Sequence, residues 1–176
     1  MGRFTWPWTS QSMAKIIKNT MLLTVALGLV IVLGLSLCAF YVLEIFPSNK
    51  EIKGCIVTKL YNVNLCPGSK DYVRLNQISP FLRKAVLISE DSAFYQHNGF
   101  DFQELEKSFK TNLEKGKFAR GGSTITQQLV KNLYLTKEKT IKRKIFEALI
   151  TIRIEKILSK NEILERYLNV VQFGKN

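Results

Sequence analysis

Arg120–Tyr134 reads RGGSTITQQLVKNLY, and the fold of the chain is decided there. Gly121 and Gly122 open a turn, because glycine takes backbone angles closed to other residues. Ser123 or Thr124 is placed to cap a helix that starts at this point. Such a start offers free N–H groups and the positive end of the helix dipole, which suit an anionic ligand. Ser123, Gln127 and Lys131 fall four apart on one face, while Ile125, Leu129 and Leu133 make a second, apolar stripe. Two readings fit. A face of hydroxyl, amide and ammonium is a site for phosphate or sugar, or the helix is an ordinary capped amphipathic one with a solvated face.

Outward from that helix, the length of 176 residues allows one domain plus an appendage. The formal net charge is +12, and from Pro47 onward 23 basic side chains stand against 13 acidic ones. That excess points to anionic partners: phospholipid head groups, phosphorylated substrates or nucleic acid. Three cysteines make no disulfide framework. Cys38 lies in an apolar block, and Cys55 and Cys66 bound the β-rich stretch CIVTKLYNVNLC. Either those two pair in an exported domain, or they are two unrelated thiols.

Met21–Leu43 carries no charged residue. It exceeds the ~20 apolar residues that cross a bilayer. It is also longer than the apolar region of a signal peptide, and it reads as an uncleaved anchor. Arg3, Lys15 and Lys18 precede it without an acid, so the N-terminus is expected in the cytoplasm and the remainder outside. Trp6, Trp8, Tyr41 and Phe46 suit the two membrane interfaces. The expected organisation is a cytoplasmic tail over 1–20 and an anchor over 21–46. A linker with short extended segments follows over 47–78, then a helical domain over 79–176. A domain outside the cytoplasm argues against nucleic acid as the partner.

Ile56–Thr58 and Tyr61–Leu65 have strand character, and Pro67-Gly68 marks a turn. Ser79 is the expected cap of a helix with Pro80 at its first position, whose apolar face is Phe81, Leu82, Ala85, Val86 and Ile88. Asp101 and Glu104 form a capping box for a helix with Leu105, Phe109 and Leu113 on one side. Lys115–Gly122 is basic, glycine-containing and expected to be mobile. Thr136–Thr140 breaks the chain before a long helix, Ile141–Leu158, with Ile141, Ile145, Leu149 and Ile152 inside. A second box, Ser159 and Glu162, precedes Ile163, Leu164, Tyr167, Leu168 and Val171. The exported part is therefore expected to be mainly α.

Three constellations carry chemistry. Glu90 and Asp91 end a helix side by side, near Phe94 and Tyr95, an arrangement used to tune a general acid or base. The other reading is two solvated acids in a polar loop. His97, the only histidine, sits in HNGFD, either as a base or as the residue whose hydrogen bonds hold that loop. Arg143, Lys144 and Glu147 share one helical turn; Arg143 and Glu147, four apart, either form a surface ion pair or place Arg143 on phosphate, with Glu147 positioning it or a metal ion. Metal-ligand spacing of His and Cys is absent, as are a P-loop and a nucleophile elbow.

ISEDSAFYQHNGFD, RGGSTITQQLVKNLY, RKIFEALITIRIEK and KNEILERYLNVVQFG stand in this order. Together they resemble the first four motifs of the peptidoglycan glycosyltransferase family, which comprises the monofunctional transglycosylases and the N-terminal domains of bifunctional penicillin-binding proteins. The resemblance covers Ser79–Gly174, and the single anchor is similar to the monofunctional branch. It implies a lysozyme-like, mainly helical fold with a membrane-embedded lobe, behind a single N-terminal transmembrane helix.

It also implies lipid II and the growing glycan strand as substrates, undecaprenyl diphosphate as leaving group, and other cell-wall synthesis proteins as partners. By this resemblance Glu90 is the general base on the acceptor 4-hydroxyl, and Glu147 is a second catalytic glutamate. Ser123, Gln127, Gln128, Lys131 and Arg143 hold donor sugar and diphosphate, while Asp91, Phe94 and His97 shape the cleft. It leaves room for a divalent cation, Mg or Mn, at Glu147. Lys139 stands where the family usually has arginine, which keeps the charge and loses the bidentate fork. The family domain continues through a fifth motif, so a chain ending at Asn176 reads as C-terminally incomplete. Two other functions are carried alongside: a lysozyme-like wall-cleaving enzyme, and an inactive precursor-binding or scaffold protein.

Overall fold

A computed structural model describes residues 10–117, 119 and 121–172. Arg3, Trp6, Trp8, Arg120 and Gly174 lie outside the described residues. The chain divides into two compact units, Met1–Phe46 and Pro47–Asn176.

The described part of the first unit holds one helix, α1 (Ser10–Ile45), of 36 residues. At 1.5 Å per residue it is about 54 Å long, more than the roughly 30 Å hydrocarbon core of a bilayer. Its apolar part, Met13–Tyr41, has the length and composition of a membrane span. The helix starts well before the uncharged run because residues 11–20 contain neither proline nor glycine to break it. Thr20 and Thr24 donate their hydroxyls back to the carbonyls of Ile17 and Met21, both at 2.9 Å. Each hydroxyl is thereby satisfied without an outside partner.

The second unit is mainly helical. Its elements are α2 (Asn49–Lys53), β1 (Ile56–Val57), β2 (Asn64–Leu65), a 3-10 turn over Leu75–Gln77, α3 (Pro80–Glu90), α4 (Phe102–Glu114), α5 (Ile125–Tyr134), α6 (Ile141–Ile157) and α7 (Lys160–Val170). β1 and β2 pair antiparallel with Ile56 opposite Leu65. The next position in that register holds the Cys55–Cys66 disulfide, so of the two readings the paired one is correct. The strands are shorter than the sequence suggests. Asn62 has a positive φ, and Thr58 closes the bend by bonding Val63 through both its N–H and its hydroxyl oxygen. The bend then serves a helix. The Lys59 and Leu60 amides donate to the carbonyls of Leu133 and Asn132, at the C-terminal end of α5. Those carbonyls have no partner within the helix.

α5 is the centre of the unit and packs on both α6 and α7. Ile125, Leu129, Val130 and Leu133 are buried along it, facing Ile150 and Ile154 of α6 and Ile163, Leu164 and Tyr167 of α7. α7 in turn holds the preceding chain. Its Glu165 accepts from the Tyr72 hydroxyl at 2.7 Å and the Leu75 amide at 2.6 Å. Burial and the Glu165 carboxylate together hold the Tyr72 phenol well above the usual tyrosine range. The Ser159–Glu162 box that opens α7 is complete, and it holds the Glu162 carboxyl below the usual range. A depressed carboxyl stabilises the fold above its unfolded pKa, so this part of the α7 start weakens as acid protonates Glu162.

Three sequence expectations are corrected. In α6 the stripe Ile141, Ile145, Leu149 and Ile152 faces outward, with Ile141 83% exposed. The buried face carries Glu147, Ile150, Thr151 and Ile154. Apolar residues are spread round this helix among the charged ones, so periodicity alone does not choose a face; packing against α5 does. In α3 only Val86 of the expected apolar face is buried. Ser79 occupies the cap position without a side-chain bond, Pro80 having removed one of the donors a cap would satisfy.

One glycine is required where the loop before α4 meets α6. Gly99 has φ +90°, and a Cβ there would lie 2.7 Å from Thr151 Cγ2. Thr151 is buried and donates its hydroxyl to the Glu147 carbonyl, so it is not free to turn aside. Gly99→Ala is expected to lower stability by about 1–3 kcal/mol. Urea unfolding of the detergent-solubilised protein, followed by tryptophan-independent far-ultraviolet dichroism, measures it.

Candidate active site

The site is built where α3 ends and α5 begins. Glu90 is the last residue of α3 and its side chain is exposed. Asp91 follows and turns inward. Its carboxylate accepts from His97 Nε2 at 2.9 and 3.1 Å and from the Ile125 amide at 3.0 Å. His97 Nδ1 accepts from the Gly99 amide at 3.1 Å, which leaves the ring proton on Nε2, facing Asp91. The histidine therefore holds its loop through both ring nitrogens. Phe94 is fully buried beneath that loop, edge-on to Tyr95 and His97, with the Lys160 ammonium 4.4 Å from its ring centre. It supports the loop and does not line the cavity described below.

Thr124 caps α5, donating its own hydroxyl to the Gly99 carbonyl at 2.7 Å. Gln127 completes a capping box, its Oε1 accepting from the Thr124 amide at 3.1 Å. Gln127 is consequently buried and occupied, unlike its helix neighbour Lys131, which is half-buried and has no ion-pair partner among the described residues. The second glutamine reaches the first constellation: Gln128 Nε2 donates to Glu90 Oε2 at 2.8 Å. Its own Oε1 accepts from the Tyr167 hydroxyl at 3.1 Å.

The glycine loop before α5 lies on α4. Ser108 donates to the Gly121 carbonyl at 3.0 Å, and the Ala119 amide donates to Asn112 at 2.7 Å. A Cβ at Gly122 would meet the Leu105 backbone at 3.3 Å. The described residues of the segment expected to be mobile are thus tied to α4. Between this loop and the end of α3 opens a cavity of about 340 Å³. Glu90, Asp91, Asp101, Glu104 and Ser123 are among the residues lining it.

Ser123 connects the cavity to α6. Its Oγ accepts from Lys144 Nζ at 3.4 Å, and the same ammonium bonds Glu147. Arg143 Nη1 bonds the other Glu147 oxygen at 3.0 Å. Glu147 is buried, with two cations on one carboxylate. The group keeps a net positive charge, and Arg143 Nε is buried without a partner among the described residues. Lys144 was not singled out from the sequence as a site residue, although its spacing three before Glu147 was visible. Tyr167 was read as core, and no periodicity signal reveals what its hydroxyl does.

A divalent cation does not fit Glu147 as arranged. Both carboxylate oxygens are bonded to cations, and no cluster of three or more His, Cys, Asp or Glu side chains that could hold a metal occurs among the described residues.

A family model described as Transglycosylase matches residues 58–176. The chain is 50% identical over 103 residues to a biosynthetic peptidoglycan transglycosylase of Nitrosospira multiformis, covering 58% of this chain and 45% of that protein. It is 52% identical over 104 residues to the one of Nitrosomonas eutropha, covering 59% and 43%. For Alcanivorax borkumensis the figures are 54% over 105 residues, 60% and 43%. The matches thus span somewhat under half the length of these relatives.

Because Glu147 is buried between two cations, Glu147→Ala leaves both unpaired and is expected to cost about 2–4 kcal/mol. Chemical unfolding measures this loss. Lys110→Ala, which removes an exposed pair with Glu106, should shift the midpoint little.

Proposed function

The chain belongs to the transglycosylase family, and from that membership we propose that it polymerises glycan strands from lipid II. The observation that carries this reading is a cavity lined by both the Glu90 carboxylate and Ser123, whose hydroxyl is bonded by Lys144 of the Arg143–Glu147–Lys144 cluster. A base and a positive clamp suffice for the reaction. Glu90 takes the proton of the acceptor sugar's 4-hydroxyl. The freed oxygen attacks the anomeric carbon of the lipid-linked strand, a β-1,4 bond forms with inversion, and undecaprenyl diphosphate leaves. The diphosphate needs neutralisation rather than protonation, and Arg143 and Lys144, held on Glu147, supply it together with Lys131. The Ser123 hydroxyl contributes a donor to the same anion. Gln127, bound in its capping box, shapes the helix start; Asp91, Phe94 and His97 hold the loop that carries Glu90.

The setting is a membrane surface. α1 has the length to anchor the protein, and the basic residues ahead of its uncharged run, Met21–Leu43, favour an N-terminus inside and a catalytic domain outside. The Cys55–Cys66 disulfide supports export, since such bonds persist in oxidising compartments. α4 exposes Phe102, Leu105, Phe109 and Leu113, with Lys107 and Lys110 on the same helix, a composition suited to dipping into lipid beside anionic head groups. Other cell-wall synthesis proteins are the expected partners.

Glu90→Gln is expected to reduce lipid II polymerisation by about 100-fold or more, with lipid II still bound. Arg143→Ala is expected to weaken donor binding as well as turnover, because its positive charge contacts the diphosphate in both ground and transition state. Both are read by following labelled lipid II into polymer on gels. Full polymerisation by Glu90→Gln would remove Glu90 as the base, and release of fragments from finished wall would redirect the reading to hydrolysis.

A further inference from the structure

The hydroxyl of Tyr167 and the side chain of Gln128 are used by neither the base nor the clamp, yet they form an unbroken chain to Glu90. We propose that Tyr167 and Gln128 are a hydrogen-bonded relay that positions Glu90, a role that rests on the reading of Glu90 as the base.

The relay has a fixed direction. Gln128 Nε2 donates to Glu90 Oε2 at 2.8 Å, and Gln128 Oε1 accepts from Tyr167 Oη at 3.1 Å. An ionised carboxylate only accepts, so the amide must present its N–H₂ to Glu90. The reversed amide would set carbonyl oxygen against carboxylate. The carboxylate thus sets the amide's orientation, and the tyrosine hydroxyl, able to donate or accept, donates to the amide oxygen that remains. Tyr167 is 1% exposed, packed in the α5–α7 interface. Burial first, and then the charges of Glu90 and Asp91, hold its phenol well above the usual tyrosine range. The hydroxyl therefore keeps its proton, and the donor end of the relay does not switch off.

Glu90 needs such a guide. It is the last residue of its helix, its side chain is exposed, and Gln128 is the only side chain bonded to it among the described residues. An exposed glutamate samples several rotamers, while a base must meet one hydroxyl in one geometry. Gln128 sits on α5, the buried centre of the unit, and Tyr167 on α7, so the relay refers the exposed side chain to the packed α5–α7 interface. Neither residue lines the cavity, so both act through Glu90 rather than on substrate.

The test uses the full-length chain in detergent micelles, labelled with 15N-glutamine. The Gln128 side-chain amide is assigned by its disappearance in Gln128→Met, which keeps length and removes both hydrogen bonds. The relay predicts that this amide pair shifts in Tyr167→Phe, which keeps the buried ring, and again in Glu90→Gln. It further predicts that kcat for lipid II falls about 10- to 100-fold in Gln128→Met and Tyr167→Phe, while KM stays within about twofold. An amide pair unmoved by Tyr167→Phe and by Glu90→Gln overturns the relay. So does a rise in KM with kcat retained, which would make Gln128 a substrate contact. A wild-type chain that polymerises nothing would count against the glycosyltransferase reading, while the amide spectra would still decide the relay.

Discussion

The Asp91 carboxylate is the joint on which the site depends. It is buried, and its hydrogen bonds come from two directions: the His97 ring on its own loop and the amide of Ile125 at the start of α5. The N-terminus of a helix is the most favourable place for a buried carboxylate, because the free amides and the dipole both favour negative charge there. By the same bond, α5 gains a partner for one of the amides its first turn leaves open. The end of α3 is thus pinned to the start of α5, and Glu90, one residue earlier, is brought within reach of Gln128. Remove Asp91, and the loop of His97, the entry of α5 and the direction of Glu90 lose their common reference.

The second polar cluster follows a different logic. Burying Glu147 between Arg143 and Lys144 gains little stability over an apolar packing of the same volume. It does hold two positive charges on one carboxylate, with Lys144 bonded to Ser123. Through Ser123, which Lys144 bonds, the cluster reaches the cavity that Glu90 also lines. α5 serves both, which is why its core stripe is so completely buried.

Much of this was legible in the sequence. RGGSTITQQLVKNLY announces a capped helix with one apolar stripe, and it is one, with Thr124 as the cap and Ile125, Leu129 and Leu133 inside. The α7 capping box and the apolar anchor helix were equally plain, because each rests on short-range chemistry. The α6 face was not, since Ile141, Ile145, Leu149 and Ile152 make as good a stripe as Ile150 and Ile154, and only α5 decides between them. α2 is five residues long and below the reach of periodicity. Cys55 and Cys66 could be weighed but not paired until the hairpin register was known. At the site, the types and order of Glu90, Lys131, Arg143 and Glu147 suggested their chemistry. That Gln127 is spent on a cap while Gln128 turns to Glu90 depends on tertiary geometry, and so does the use of the Tyr167 hydroxyl.

The central claim is that Asp91 joins α3 to α5 and so assembles the site, and amide hydrogen exchange at Ile125 tests it most directly. The first amides of a helix ordinarily exchange fast, having no partner within it. The account predicts that Ile125 exchanges as slowly as Leu129 in the middle of α5, and that Asp91→Ala accelerates it by on the order of 10- to 100-fold while Leu129 changes far less. An Ile125 amide that exchanges like an open helix start in the wild-type protein, or one indifferent to Asp91→Ala, would contradict it.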